Sequence, residues 1–264
     1  MRNNRKYHDR IAAKYDQVYD TEYWRFYREV SWRHLKPYLP DARPARAADL
    51  GCGTGWFGLR LLHAGCDTVF VDPSSGMLEQ ARAAVAAASA RGRECTFVQQ
   101  GLEDLSAIAD HSLQFATGQG DPLSFCADPD RALRELARVL APGAHVVLSV
   151  DNRCAGVRAL VDEGAADAAL ELLRTGRTEW RAQKQDERFG MKMFDAQELA
   201  ALLERRGFAV RSCIGKTCLV QRRHEELLAT PELRQRWRDA EEAVHRQPHW
   251  WALASHLQIA AQRG

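Results

Sequence analysis

The fold of this chain is decided by Ala47-Ala48-Asp49-Leu50-Gly51-Cys52-Gly53-Thr54-Gly55, an apolar run that ends in an acid and continues into three alternating glycines. The run predicts a strand, and a helix is expected directly after the glycines, from Trp56 to Ala64. Glycine tolerates positive φ angles and lets the backbone approach a ligand, while the first turn of a helix presents unpaired N–H groups. The stretch therefore predicts a site for a nucleotide-like ligand.

The glycines alone do not choose the ligand. Gly53-Thr54-Gly55-Trp56-Phe57-Gly58 also matches the G-x-G-x-x-G pattern of dinucleotide-binding enzymes. In such enzymes the second half of the sheet repeats a βαβαβ unit that holds the second nucleotide. The second half of this chain shows a polar helical pattern, one further helix and a terminal pair of strands instead. A nicotinamide-dependent oxidoreductase therefore stays open only as an alternative.

Composition narrows the classes of protein. The chain has 264 residues with 45% hydrophobic content, enough for one full-sized core with accessory elements. The chain has 37 Lys and Arg and 35 Asp and Glu, so its formal net charge is only +2, and we expect no nucleic-acid partner. No apolar run approaches the roughly 20 residues of a membrane span, and the charged start resembles no signal peptide, so we expect a cytoplasmic protein without a membrane partner. Seven scattered cysteines without a C-x-x-C pair predict neither a disulfide framework nor a metal site.

Strand and helix patterns alternate through the first half of the chain. Predicted strands are Ala45–Leu50, Thr68–Asp72, Cys95–Gln99, 113–117 and His145–Val150, and predicted helices are Trp56–Ala64, Ser75–Arg91 and Asp130–Leu140. This alternation predicts an α/β fold with a doubly wound, mostly parallel sheet. In open sheets of this kind the ligand lies at the carboxyl ends of the strands.

Both flanks of this region depart from the alternation. Residues 5–39 predict an N-terminal helical segment, and the polar, Arg-rich residues 155–188 predict a helical insertion after the fifth strand. Beyond the insertion we expect a helix capped by Asp195, a helix over 231–245 and a last, antiparallel strand over 256–260. No crossover helix fits between Phe208–Cys213 and Thr217–Gln221, which predicts a hairpin there. The predicted regions are an N-terminal cap (1–40), a ligand-binding core (41–153), the insertion (154–190) and the C-terminal part of the sheet (191–264).

Four motifs occur in a fixed order along the core. They are Asp49–Gly55; Val69-Phe70-Val71-Asp72 followed by Ser74, Ser75, Met77 and Leu78; Gly101-Leu102-Glu103-Asp104-Leu105; and residues 131–143, which precede the fifth strand. In this order they resemble the motifs of the class I S-adenosylmethionine (SAM)-dependent methyltransferase family. Two departures stand out: Gly101 occupies a position that is usually an acid, and Ser112-Leu113-Gln114 replaces the common Ser-Phe-Asp.

The resemblance implies a Rossmann-like fold, SAM as cofactor and S-adenosylhomocysteine (SAH) as product. By the same resemblance Asp49 lies near the methionine end, Asp72 binds the ribose hydroxyls, and Met77 with Leu102 meets the adenine. The cofactor-binding residues it implies are Tyr15, Asp49, Gly51, Cys52, Gly53, Gly55, Asp72, Pro73, Met77, Gly101, Leu102, Glu103, Gly118 and Gln119.

The expected reaction is in-line methyl transfer to O, N, C or S of a small-molecule acceptor, by a monomer or homodimer. A sulfonium methyl group is already activated, so a general base helps only with acceptors that carry a proton. Asp121 and His111 are the predicted catalytic residues, and Asp151, His8 and Asp16 are further candidate bases. The absence of an Asn-Pro-Pro-Tyr or Asp-Pro-Pro-Tyr element after the fourth strand favours a small acceptor. A SAM-binding domain that transfers no methyl group is the main alternative.

Overall fold

A seven-stranded sheet with helices on both faces forms the centre of the molecule. The computed structural model describes residues 2–42, 44–88, 92–180 and 187–264. Within these residues the strands are β1 (Ala45–Leu50), β2 (Cys66–Val71), β3 (Cys95–Val98), β4 (Leu113–Gly118), β5 (Leu140–Asp151), β6 (Arg177–Trp180), β7 (Phe189–Lys192), β8 (Phe208–Lys216) and β9 (His256–Arg263). The α-helices are α1 (Arg2–Ile11), α2 (Tyr15–Val18), α3 (Glu22–Leu35), α4 (Trp56–His63), α5 (Ser75–Ala87), α6 (Pro129–Val139), α7 (Arg153–Asp162), α8 (Ala166–Thr175), α9 (Ala196–Glu204) and α10 (Pro231–Val244).

The strand order is β3-β2-β1-β4-β5-β9-β8, with β1 to β5 parallel and β9 antiparallel to both of its neighbours. The order reverses between β1 and β4, which is the point where open α/β sheets bind their ligands. The predicted Rossmann-like, mostly parallel sheet with an antiparallel C-terminal strand is confirmed. None of the described helices is long and apolar enough to cross a lipid bilayer.

The two faces of the sheet are covered by different helices. On one face Leu133 and Leu136 of α6 pack with Leu199 of α9 against the inner residues of β4, β5 and β9. On the other face Leu35 of α3 and Leu61 of α4 pack against the alternate residues of the same strands. Burial on both faces explains why the central strands are almost continuously apolar rather than alternating.

The predicted hairpin of Phe208–Cys213 with Thr217–Gln221 is wrong. β8 continues to Lys216, and the chain then turns at Thr217, whose φ is +52°. The backbone N–H groups of the next three residues, 218–220, all donate to the buried carboxylate of Glu241 on α10, at 2.8 Å each. These donors are therefore satisfied by a side chain rather than by a neighbouring strand. The antiparallel partner of β8 is β9.

The insertion after β5 is only partly helical. α7 and α8 confirm the first part of the prediction, but α8 ends at Gly176, which adopts a left-handed conformation. The antiparallel hairpin of β6 and β7 follows, where a helix was expected up to residue 188. Thr178, Trp180 and Phe189 are residue types that favour strands, and this local preference outweighs the polar composition. Residues 181–186 of the predicted helix lie outside the described residues. The Asp195 cap is confirmed, because its carboxylate accepts the Glu198 N–H at 2.7 Å.

Candidate active site

The glycine turn connects the carboxyl end of β1 to the first turn of α4. Gly51 and Gly55 have φ angles of +65° and +90°, and a Cβ atom on Gly51 would come within 2.7 Å of Pro122. Only glycine meets both requirements without strain. Asp49 fixes the turn from behind, because its carboxylate accepts the Gly58 N–H at 2.7 Å. Burial raises the pKa of Asp49 to about 7.

A cavity of about 440 Å³ opens beside this turn, within the range usual for cofactor sites. Its floor is formed by the carboxyl ends of β1, β2 and β4 and by the loop that follows β3. Helix α1 covers it, contributing Asn4, Arg5 and His8. Ten of the predicted cofactor-binding residues line it: Tyr15, Gly51, Gly53, Asp72, Pro73, Met77, Gly101, Leu102, Glu103 and Gln119.

The Asp72 carboxylate at the end of β2 is held in a fixed orientation. One oxygen accepts the Ser74 N–H and the other accepts the Gly53 N–H, both at 2.9 Å. A carboxylate has about four acceptor positions, so each oxygen retains capacity for a further donor. Burial raises the pKa of Asp72, while these two N–H groups act in the opposite direction. The side chain can therefore accept hydrogen bonds from two neighbouring hydroxyl groups of a ligand in the cavity.

Four predicted cofactor residues do not line the cavity. Asp49 lies behind the glycine turn, Gly55 ends the turn with its inner side against Ala81, and Gly118 lies inside β4, where an added Cβ atom would be 3.1 Å from both Leu148 and Pro122. Cys52 lines the neighbouring chamber described below. These residues shape the turn rather than face this cavity. Glu103 does line it, although one of its carboxylate oxygens already accepts the Asp128 N–H at 2.8 Å.

A second, smaller space of about 180 Å³ adjoins the cavity, and we call it the aromatic chamber. The cavity and the chamber share seven lining residues: His8, Tyr15, Gly51, Gly53, Gln119, Gly120 and Phe125. Further rings come from α1, from the segment between α2 and α3, from α3, from α4 and from the β6–β7 hairpin. They are Tyr7, Tyr19, Trp24, Tyr27, Trp56, Phe57, Trp180 and Phe189. Trp180 and Phe189 stack with ring planes only 15° apart. The insertion therefore supplies one wall of the chamber.

Asp121, Asp151 and His256 form the polar side of this chamber. The Asp121 carboxylate lies 2.8 Å from Nδ1 of His256, and the Asp151 carboxylate lies 3.9 Å from the same atom. Lys216 is fully buried nearby, with Nζ 3.3 Å from Oε1 of Gln119 and 3.9 Å from the centre of the Tyr27 ring. Four ionisable groups thus lie together at the carboxyl edge of the sheet.

The pKa values of this group shift in opposite directions. Burial opposes ionisation of Asp121, but the neighbouring His256 outweighs it and lowers the pKa of the carboxyl group. Burial raises the pKa of Asp151 to about 7, with a further contribution from the charge of Asp121. Burial also lowers the pKa of Lys216 to about 8, whereas Asp121 outweighs burial at His256 and raises the imidazole pKa. Groups that titrate near neutrality are suited to proton transfer.

The spacing of Asp121, Asp151 and His256 raises the question of a metal ion. One ligating atom from each residue lies within 4.8 Å of the others. The neighbouring Lys216 already places a positive charge beside the two carboxylates, and the pKa of Asp151, which burial raises to about 7, reduces the negative charge available to a cation. We therefore assign no metal ion to this cluster.

The structure separates the two predicted catalytic residues. Asp121 lies in the chamber wall, as expected, with a φ of +67°. His111 is a wrong prediction: it precedes β4, is exposed, and its Nδ1 lies 3.2 Å from the Leu140 carbonyl oxygen. It therefore lies at the amino edge of the parallel sheet, opposite the cavity. Of the further candidates, Asp151 and His8 line the chamber, and Asp16 lines it while accepting from the Thr54 hydroxyl at 2.7 Å.

His256 and Lys216 were missed by the sequence analysis. Strand register explains why they belong to the site. His256 is paired with Asp151 on one side and with Lys216 on the other, so the three residues form a row across β5, β9 and β8. Because β9 runs antiparallel, its first residue lies at the same edge as the last residues of the parallel strands. The predicted antiparallel direction of this last strand could therefore have placed His256 at the functional edge.

Comparison with known proteins points to one family. Residues 47–143 match a family described as a methyltransferase domain. A SAM-dependent methyltransferase structure from Mesorhizobium loti shares the fold, with a TM-score of 0.58 and 22% identity, covering 89% of this chain and 98% of that one. Residues 47–143 form a class I SAM-dependent methyltransferase domain. SAM is the cofactor of this domain. Two features of the cavity fit SAM: the carboxylate of Asp72, and the open space beside Gly53, where a Cβ atom would contact nothing within 4 Å.

Relatives of the methyltransferase domain differ in what they modify. A tRNA U34 carboxymethyltransferase of Idiomarina loihiensis is 29% identical over 49% of this chain and 39% of its own length. A ubiquinone biosynthesis O-methyltransferase of Xanthomonas oryzae is 30% identical over 51% of this chain and 54% of its own length. The match spans about half the length of these curated relatives, or less. The acceptor is therefore not assigned by similarity.

Proposed function

We propose that the chain is an enzyme that transfers the methyl group of SAM to a small molecule bound in the aromatic chamber. The observation that carries this proposal is the wall shared by the cavity and the chamber, formed by Gly51, Gly53, Gln119 and Gly120. A donor in one space and an acceptor in the other meet across that wall, as in-line displacement requires. When bound, SAM supplies a methyl group already activated by its sulfonium charge.

In this proposal the cofactor is held by residues that follow three strands, β1, β2 and β3. Asp72 accepts both ribose hydroxyls, Met77 and Leu102 pack against the adenine, and Glu103 reaches the adenine amino group with its second oxygen. The backbone from Gly51 to Gly53 follows the amino-acid end. Asp49 acts indirectly, because its bond to Gly58 orients the turn that carries those glycines.

The cover over the two spaces supports a small acceptor. Helix α1 is attached to the rim by Asp9, which accepts the Ser74 hydroxyl at 2.6 Å, and by the ion pair of Arg10 with Glu187 at 2.6 Å. Water is thereby excluded from the reacting groups when the site is closed. A chamber of about 180 Å³ accommodates a molecule the size of one substituted ring rather than a folded macromolecule.

Two measurements test this function. We expect SAH to bind in calorimetry while NAD(P) does not, and we expect transfer of labelled methyl from SAM to small acceptors. Transfer to unmodified tRNA, with none to small molecules, would contradict the proposed acceptor size. Tight SAH binding without transfer to any acceptor would favour the non-methylating alternative.

A further inference from the structure

Asp151, His256 and Lys216 form a row across three strands; the first two line the aromatic chamber, and Lys216 is buried beside them. Residues paired across neighbouring strands point to the same face, so these side chains converge at one point of the sheet edge. Asp121 reaches this point from the loop after β4. Nothing in the packing of the sheet requires four ionisable groups here, and buried charges are costly unless they are paired.

His256 has the geometry of a proton acceptor. Its Nδ1 lies 2.8 Å from the Asp121 carboxylate as an ion-pair contact without hydrogen-bond alignment, and no described residue forms a hydrogen bond with its Nε2. The side chain is 17% exposed and lines the chamber, whereas Asp121 is 7% exposed. A buried carboxylate this close to Nδ1 favours a proton on that nitrogen, which leaves Nε2 as the base.

The charges around the chamber discriminate between kinds of acceptor. With His256 neutral, as a base must be, the Asp121 carboxylate is balanced by Lys216, and burial raises the pKa of Asp151 to about 7. Of the other charged residues lining the chamber, Asp16 accepts the Thr54 hydroxyl, while Arg28 donates to the Tyr19 carbonyl oxygen. His8 also lines the chamber, and burial lowers its pKa. The chamber therefore carries no excess negative charge that would attract an ammonium group. An acceptor that develops negative charge is stabilised by Arg28, which lines the chamber.

Two buried donors indicate a second oxygen on the acceptor. Trp24 Nε1 and the Tyr27 hydroxyl belong to residues that line the chamber, and neither atom has a hydrogen-bond partner among the described residues. Leaving buried polar atoms unpaired costs free energy, which a ligand oxygen would recover. The surrounding aromatic faces suit a planar ring.

Resting on the proposed methyl transfer, we infer that the acceptor is a planar molecule with an acidic hydroxyl group, a phenol or an enol, and that His256 held by Asp121 removes its proton. The hydroxyl proton moves to Nε2 of His256. The acceptor oxygen then forms a bond to the methyl carbon, and the electron pair of the broken C–S bond remains on sulfur. The products are a methyl ether and SAH, and His256 releases its proton to water.

The test uses the full chain with labelled-methyl SAM and two matched sets of probes. One set contains hydroxybenzoates, dihydroxybenzenes and naphthols, and the other contains amines on the same rings. The variants are His256→Asn and, as a matched control, His111→Asn, whose left-handed backbone tolerates asparagine. We expect transfer to phenols but not to amines. His256→Asn should lower kcat about 100-fold, as expected for loss of a general base, with an unchanged Kd for SAH, and His111→Asn should match the wild type.

Several outcomes would overturn the inference. Methylation of the amines and not the phenols would contradict the acceptor class, as would SAH binding without transfer to any phenol. Equal phenol transfer by His256→Asn and wild type would remove the histidine from the mechanism. Failure of SAH to bind the wild-type chain is distinguishable from all of these, because it contradicts the proposed function itself.

Discussion

The cofactor cavity and the aromatic chamber are adjacent but are built in different ways. The cavity is formed largely by short motifs, each a few residues long, whose glycines and backbone groups line the space. The chamber brings together side chains from helices α1, α3 and α4, the β6–β7 hairpin and strands β5 and β9. Local sequence therefore specifies the donor site, whereas tertiary structure specifies the acceptor site. Variants that separate the two sites can test this difference.

The largest expected effect of these variants belongs to Asp121. Asp121→Asn keeps an oxygen beside His256, and asparagine tolerates the positive φ at this position. Loss of the negative charge lowers the pKa of His256 and no longer favours the tautomer that carries its proton on Nδ1. The kcat for a phenol should therefore fall about 100-fold. Calorimetry should show an unchanged Kd for SAH. A variant at the exposed Asp162, Asp162→Asn, is the control, and an equal loss in both variants would contradict a specific role.

Asp72 tests the other side of the comparison. Asp72→Ala removes charge-assisted hydrogen bonds to the ribose, each worth about 1.5–3 kcal/mol, so the Kd for SAH should rise at least tenfold. Asp72→Asn keeps one acceptor oxygen and should lose less. Calorimetry with SAH provides the measurement. Wild-type affinity in Asp72→Ala would refute the ribose assignment.

Lys216 should change the pH dependence rather than the maximum rate. Its positive charge disfavours the protonated form of His256, whose pKa is nonetheless raised by Asp121. Because the neutral imidazole is the base, kcat/KM for a phenol should rise as pH increases through the His256 pKa. Lys216→Met removes the charge, raises that pKa, and should move the profile to higher pH by about 1 unit or less. A profile that stays in place or moves to lower pH would contradict this arrangement.

The fold and the donor site were largely predictable because their signals are local. Apolar runs fixed the parallel strands, and the glycines with Asp72 and Leu102 located the cavity. His111 was misplaced because proximity to β4 in sequence did not say at which end of the strand it lies. Residues before a parallel strand occupy the amino edge, away from the ligand.

The acceptor chemistry was less accessible for a different reason. His256 and Lys216 join the site only through the register of β9 between β5 and β8, and a strand's partners are not encoded by its own residues. The wrong prediction of a hairpin after Cys213 has the same cause. The N–H groups of residues 218–220 donate to Glu241 on α10, a tertiary contact that the local sequence does not indicate. The direction of the last strand was predicted correctly, and that direction alone places its first residue at the functional edge.

The most direct test of the account compares Asp72→Ala with His256→Asn in two assays, SAH calorimetry and single-turnover methyl transfer to a phenol at saturating SAM. The account predicts that Asp72→Ala raises the Kd for SAH at least tenfold while its transfer rate at saturation stays near wild type. His256→Asn should show the reverse, a wild-type Kd with a transfer rate about 100-fold lower. If each variant impaired both quantities equally, the division into a donor site and a separate acceptor site would be contradicted.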